Sequence, residues 1–311
     1  MNFAFVLAEK IAGLSIIILI GFLFVRLHVM RLEDSGPLNQ FALLVLTPCA
    51  MLNAFQFEFS SEKLAGIGIC LLAILFVMLL FGVLTALLRK PLKLSIVDQT
   101  NLIYMNAGNF MLPVVAAAMG GEWVIYLSPC ILVSNVLMFT HAKAIISGEN
   151  RFRLSMLTKN VVLIATVLGF AMFLMRLHLP GIIGQTVSTF GSMMGPVYMF
   201  TIGMILGSAD LKAVFLNRRV WIVTAGRLLV YPAAAILIFR LFGMFRLYPQ
   251  AKEVLTVVAL TAGAPAAVMI TQFTQMYRSA EEAQYSSAIN IMSTILCLFT
   301  MPLIAALYTA V

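Results

Sequence analysis

Nine stretches without a charged residue constrain what this chain can become: 11–25, 35–57, 64–88, 99–121, 123–142, 160–175, 177–209, 254–277 and 283–311. A helix needs about 20 apolar residues to cross about 30 Å of hydrocarbon, where every backbone polar group must be paired internally. Most of the stretches reach or approach that length. A tenth, near 220–242, is interrupted by Arg227 and Arg240. The reading is an all-α polytopic membrane protein with about ten transmembrane helices. Only 10% of the residues are charged, against about 25% in soluble domains, so a large soluble core is excluded.

The net charge of +8 suggests nucleic acid until it is placed on that topology. Odd-numbered connections, with the helix ends beside them, carry 13 Lys and Arg and the even side carries 6. Basic residues favour the cytoplasmic face, so both termini are expected outside the cytoplasm and no nucleic-acid partner is expected. The first apolar segment carries Glu9 and Lys10 early and lacks a small-residue cleavage site, so it is expected to remain as a span. Cys49, Cys70, Cys130 and Cys297 fall inside spans with no paired ligand spacing and are expected to pack as small apolar groups. His28, His141 and His178 lie at expected helix ends, without metal spacing or a partner in sequence. No cofactor is expected. Twenty methionines are scattered without a motif and suit adaptable packing.

The chain also echoes itself. Arg26-Leu27-His28 recurs as Arg176-Leu177-His178, Pro48 answers to Pro196, and Pro113 to Pro265, at offsets of 150, 148 and 152. Near-constant offsets suggest a duplication: a first repeat over 1–147, a short cytoplasmic connection at 148–159, and a second repeat over 160–311. Five helices per half is an odd number, so the second copy enters the membrane from the opposite side and the repeats are inverted. Interrupted segments at matching places in two such halves point to a transporter's binding site.

The fourth span contains Asn106-Ala107-Gly108-Asn109 and Pro113; the ninth contains Thr261-Ala262-Gly263-Ala264-Pro265. Proline removes a donor and clashes with the preceding turn, and glycine weakens a helix further. Broken helices end near the midplane, and their N-termini offer unpaired N–H groups that suit a carboxylate. Helices 4 and 9 are therefore expected to break around Pro113 and Pro265 and to cross. Asn106, Asn109, Pro113, Thr261 and Pro265 are the expected site. Arg227 lies in the eighth span, where it either serves function or snorkels to the interface. Asn53, Gln272 and Asn290 are polar groups in or near apolar spans, each a helix-packing hydrogen bonder or a substrate ligand; Asn53 joins the candidate list. Asp98 begins the fourth span and is expected to be an interfacial helix-start acid, with Lys93 as its candidate partner.

These residues resemble the auxin efflux carrier family, specifically its small bacterial members, over almost the whole chain. Arg26, Leu38-Asn39-Gln40-Phe41 and Pro48 are similar to the family's opening pattern. Gly195 to Met204 looks like its seventh helix, Gly226-Arg227 through Pro232 its eighth, Asn106 through Pro113 its fourth, and Ala264-Pro265 its ninth. One position departs: the family pattern carries glycine two places before the fourth-helix proline, where this chain has Met111, which narrows the crossover. The resemblance implies two inverted five-helix repeats with crossing helices 4 and 9, related in architecture to bile acid/sodium symporters. It implies carriage of small organic anions, carboxylates such as malonate or malate, across the bacterial inner membrane. The lipid bilayer is the second expected partner, and a homodimer is compatible with the sequence.

Two other classes compete. An intramembrane enzyme needs a nucleophile with a base, or a metal cluster, at depth, and neither is visible. A receptor would bind without flux. The two crossover stretches contain no Asp or Glu, so a proton-exchanging carboxylate is missing. Uniport driven by the anion gradient and the membrane potential is expected, with proton or sodium symport as alternatives.

Overall fold

The computed structural model describes residues 3–149, 159–246 and 249–310. The chain is 83% helical, with no strand among the described residues. In chain order the helices are α1 (Phe3–Arg26), α2 (Leu32–Ala54), α3 (Ser61–Arg89), α4 (Ile96–Ile103), α5 (Met111–Ala118), α6 (Gly121–Ser147) and α7 (Val161–Leu174). Then come α8 (Gly181–Ser208), α9 (Leu211–Leu216), α10 (Arg218–Leu241), α11 (Ala251–Ala262), α12 (Val268–Tyr277) and α13 (Ala280–Ala310). Seven of them, α1, α2, α3, α6, α8, α10 and α13, are long and apolar enough to cross a membrane, and α7 is a shorter apolar helix. Most of the expected connection at 148–159 lies outside the described residues.

Side chains set the helix starts. Ser60 accepts from the Lys63 N–H, Asn160 from Val162 and Leu163, and Asn217 from Arg219 and Val220. Each satisfies first-turn donors that have no partner within the helix. The duplicated Arg-Leu-His triplets sit at equivalent places, where α1 and α7 end. In each, one residue turns the chain through positive φ: His28 at 60° and Arg176 at 57°. Such conformations are uncommon outside glycine and mark a sharp helix stop.

Two sets of helices pack internally. In one, α8 lies along α1 and α2, and α7 lies against α2; in the other, α3, α4, α6, α10, α11, α12 and α13 surround one another. The sets meet where α1 touches α13 and where α2 and α7 touch α6, and α5 lies between them, in contact with α1 and α8 on one side and α6 on the other. Within the first set the α1–α8 seam is a backbone-to-backbone approach through Gly21, Gly203 and Gly207, the small-residue packing that membrane helices use in place of a hydrophobic driving force.

Candidate functional site

The two proline-bearing spans are each split into half-helices, α4/α5 and α11/α12. Between them the extended segments meet as an antiparallel bridge at Met105 and Ala266. The Asn106 N–H donates to the Pro265 carbonyl at 2.9 Å, and the Ala267 N–H donates to the Tyr104 carbonyl at 3.1 Å. α13 satisfies more of this unwound backbone: Asn290 Nδ2 donates to the Ala266 carbonyl at 2.7 Å, and Ser293 Oγ accepts from the Ala266 N–H at 3.1 Å. Asn290 is thus the packing hydrogen bonder expected of it. Irregular backbone at membrane depth is tolerated when it is paired or lines a cavity, and both conditions hold here.

The position of the first break differs from the expectation. α4 ends at Ile103 and α5 begins at Met111, so Pro113 lies inside the first turn of α5. There its missing N–H would have had no intrahelical partner, and proline is tolerated. The break itself falls on Tyr104 to Phe110, where Asn106, Gly108 and Asn109 weaken the helix. Pro113 serves packing instead: a Cβ on Gly195 of α8 would approach its ring to 3.2 Å. Pro265 lies within the second break, as expected.

A cavity of about 600 Å³ opens beside the bridge, between the two helix sets. The first set contributes Asn39, Gln40, Thr47, Tyr198 and Thr201, with Asn160 at the start of α7; the second contributes Asn106, Asn109, Asn135 and Gln272. Seven carboxamides therefore line one space. Lys159 is its one charged residue among the described residues, and no acid lines it. Among the described residues, no side chain or carbonyl bonds the amide groups of Asn106, Asn109, Asn135 or Gln272, so their donors are free for a ligand. Gly108 and Asn109, before α5, and Ala267, Val268 and Met269, at the start of α12, also form the wall. Neither half-helix is capped by a side chain. The first N–H groups of α5, Met111 and Leu112, donate to the Asn106 and Gly108 carbonyls. By contrast, α12 begins with the Val268 and Met269 N–H groups unbonded among the described residues and presents them, with the positive end of its dipole, to this region.

Of the seven residues nominated from sequence, Asn106 and Asn109 line the cavity. Pro265 supplies the bridge carbonyl behind it. Thr261 is buried and donates to the Val257 carbonyl at 2.7 Å. Asn53 lies near the end of α2, away from the lining, as Pro113 does. Arg227 is 0% exposed, which overturns snorkelling. Its guanidinium stacks over Phe81 at 5.3 Å, and none of its three nitrogens has a hydrogen-bond partner among the described residues.

Gln272, read from sequence as a packing hydrogen bonder or a substrate ligand, lines the cavity, and so does Asn135, which sequence reasoning missed because only tertiary folding turns it to this space. Asp98 is fully buried and pairs with Arg219 at 2.6 Å, not with Lys93, while Tyr285 donates to it at 2.6 Å. Lys93 contributes only its carbonyl, which accepts from Arg219. His141 is likewise no mere interfacial residue: it sits within α6, in a turn of π-helix over Met138–Ala142, and meets Tyr104. Cys70, Cys130 and Cys297 are buried free thiols, as expected of packing groups, and Cys49 is half-buried.

A largely helical chain with many apolar spans, a paired break in two helices and an amide-lined cavity beside the break is built as a transmembrane carrier. The family model described as membrane transport protein matches residues 150–305, and the chain belongs to that group, the auxin efflux carrier family. It is accordingly a multi-pass membrane transporter. No curated protein matches the chain.

Removing one cavity amide tests the lining directly. Asn109→Ala is expected to weaken anion binding by about 1–3 kcal/mol, since a ligand oxygen left without its donor is desolvated for no return. Isothermal titration with malonate measures it; unchanged affinity removes Asn109 from the site.

Proposed function

We propose that this protein is a secondary transporter of small organic anions, carboxylates of the size of malonate or malate. The observation that carries the reading is the cavity: seven carboxamides, one lysine and no acid among its described lining, beside the uncapped start of α12. Carboxylates accept hydrogen bonds and donate none, so free amide and backbone N–H donors match them, while the missing acids avoid repulsion.

The two interrupted spans, counted with α7 and the seven long helices, bring the crossings to ten. On this reading they form two inverted five-helix repeats, with both termini outside the cytoplasm of a bacterial inner membrane. The set α1, α2, α7 and α8 and the set holding the bridge rock against each other, opening the cavity to alternate sides. Support for that motion comes from the place of the cavity, which lies between the two sets rather than inside either.

Purified protein in proteoliposomes tests the reading. Vesicles loaded with unlabelled malonate are expected to take up labelled malonate by counterflow, and malate is expected to compete. Absence of counterflow for malonate, malate and related small carboxylates would remove the anion-carrier proposal.

A further inference from the structure

Tyr104 occupies a singular place in the bridge. It is 1% exposed, its carbonyl accepts from the Ala267 N–H that begins α12, and its hydroxyl lies 2.5 Å from Nδ1 of His141. His141 comes from the other side of the break, in the π-helical turn Met138–Ala142 of α6. Such turns are uncommon and often mark functional positions. Met138 and Phe139 of the same turn form part of the cavity wall. The residue is exposed on the protein surface, while its bond to Tyr104 is part-buried. A titratable side chain thus meets the hydroxyl of a residue whose buried backbone holds the crossover together.

The direction of that hydrogen bond follows from burial. Among the described residues the Tyr104 hydroxyl has no other acceptor, so it must donate to Nδ1, and the neutral imidazole carries its hydrogen on Nε2. A proton arriving from water bonds to Nδ1. The Nδ1–H then donates, the Tyr104 oxygen can only accept, and the hydroxyl hydrogen is left buried without a partner. Protonation therefore does two things: it places a positive charge on the turn that walls the anion cavity, and it strains the residue that anchors the start of α12.

The surrounding charges leave His141 as the group that switches. Tyr277 and Arg278 lie at the end of α12; Arg278 donates to the Ile145 and Ile146 carbonyls, and Lys143 stacks on Tyr277 at 5.6 Å. On α4 the acid Asp98 is held by Arg219 and Tyr285. Lys159 lines the same cavity. No acidic side chain bonds His141 among the described residues. Lys and Arg keep their charge through neutral pH, whereas unperturbed imidazole changes its own between about pH 5 and 8.

We propose that His141 and Tyr104 form a proton-binding site that couples one proton to each anion carried through the crossover cavity. The inference rests on the anion-carrier reading and departs from uniport: the missing membrane carboxylate is replaced by an imidazole.

Two measurements on the full chain decide it. The first needs no anion. Nitrogen NMR of histidine-labelled protein in nanodiscs, assigned with His28→Gln and His178→Gln, follows His141 against pH. The expected result is an Nε2–H tautomer at high pH, protonation between about pH 5 and 8, and a changed tautomer balance and midpoint in Tyr104→Phe. A His141 that keeps one protonation state over that range, or that ignores Tyr104→Phe, overturns the proposal. The second uses malonate as probe: each pH unit across the vesicle membrane is expected to drive about tenfold accumulation per proton. Relative to each variant's own counterflow, His141→Gln is expected to lose that factor. Vesicles that show counterflow but no accumulation down a pH gradient, or a His141→Gln variant that keeps it, overturn the coupling. Absence of wild-type counterflow counts against the carrier reading, and the NMR titration then decides the inference alone.

Discussion

Arg227→Met is expected to make the protein more resistant to unfolding while slowing its transport. The native guanidinium is fully buried and none of its nitrogens is hydrogen-bonded among the described residues. An arginine at the centre of a membrane helix costs roughly 2.5–3.5 kcal/mol on insertion scales. The ring of Phe81 at 5.3 Å offsets part of that, about 2 kcal/mol for a desolvated cation over an aromatic face. The remainder, about 0.5–1.5 kcal/mol, is recovered when a flexible apolar side chain fills the space. The charge is retained in a place of consequence. Its π-helical turn, Gly226–Val230, packs against α4 and α13, and a Cβ on Gly226 would lie 3.0 Å from Leu102. Arg227 therefore sits in a turn packed against the half-helix that leads into the crossover, and on the proposed carrier reading its fixed positive charge favours an anion in the cavity. Thermal unfolding in detergent should shift upward in Arg227→Met, and malonate counterflow should fall. A variant that is less stable than the native protein would mean that the guanidinium is satisfied after all, and unimpaired counterflow would separate Arg227 from function.

The helical architecture was legible because charge is expensive in lipid. Uncharged stretches such as 64–88 and 283–311 map onto α3 and α13 with their ends at Arg89 and Ala280. The breaks were legible only coarsely. Pro113 drew attention as a helix breaker, yet proline in a first turn obstructs nothing, and the chain unwinds over the preceding Tyr104 to Phe110 instead. Contacts between distant positions were not legible. His141 and Tyr104 are 37 residues apart, and Asp98 and Arg219 are 121 apart, so no local pattern pairs them. Burial of Arg227 was equally hidden, because helical periodicity alone does not say whether a long side chain turns inward to Phe81 or outward to an interface. Asn135 shows the same limit from the opposite side: it reads as an ordinary polar residue on an apolar helix, and only the meeting of α6 and α12 turns it toward the space that Gln272 lines.

The seam between α1 and α8 is expected to tolerate no side chain at its closest point, which makes Gly203→Leu the most damaging single substitution outside the cavity. A Cβ at position 203 would fall 2.0 Å from the Ile18 carbonyl oxygen, and one at position 21 would fall 2.1 Å from that of Phe200. Carbon and carbonyl oxygen normally approach to about 3.3–3.6 Å. Relief requires the two helix backbones to part by more than about 1 Å, and every contact along the seam weakens with them, since a gap of 0.5–1 Å forfeits about a quarter to a half of each dispersion contact. Lipid offers no hydrophobic compensation, because the helices are held by packing. Ordinary overpacking costs about 1–3 kcal/mol; a clash with backbone, which cannot change rotamer, should exceed the upper figure in Gly203→Leu. Gly203→Ala should already be harmful, because the Cβ alone makes the clash. Gly13→Ala, in the facing helix α1 but with nothing within 4 Å of the added carbon, should instead gain about 0.5–1 kcal/mol from reduced backbone freedom in the unfolded chain. Size-exclusion yield and thermal unfolding in detergent compare the three. If Gly203→Ala proves as stable as Gly13→Ala, the close approach is wrong. The proposal that α1 and α8 rock as one rigid unit would then lose its physical basis.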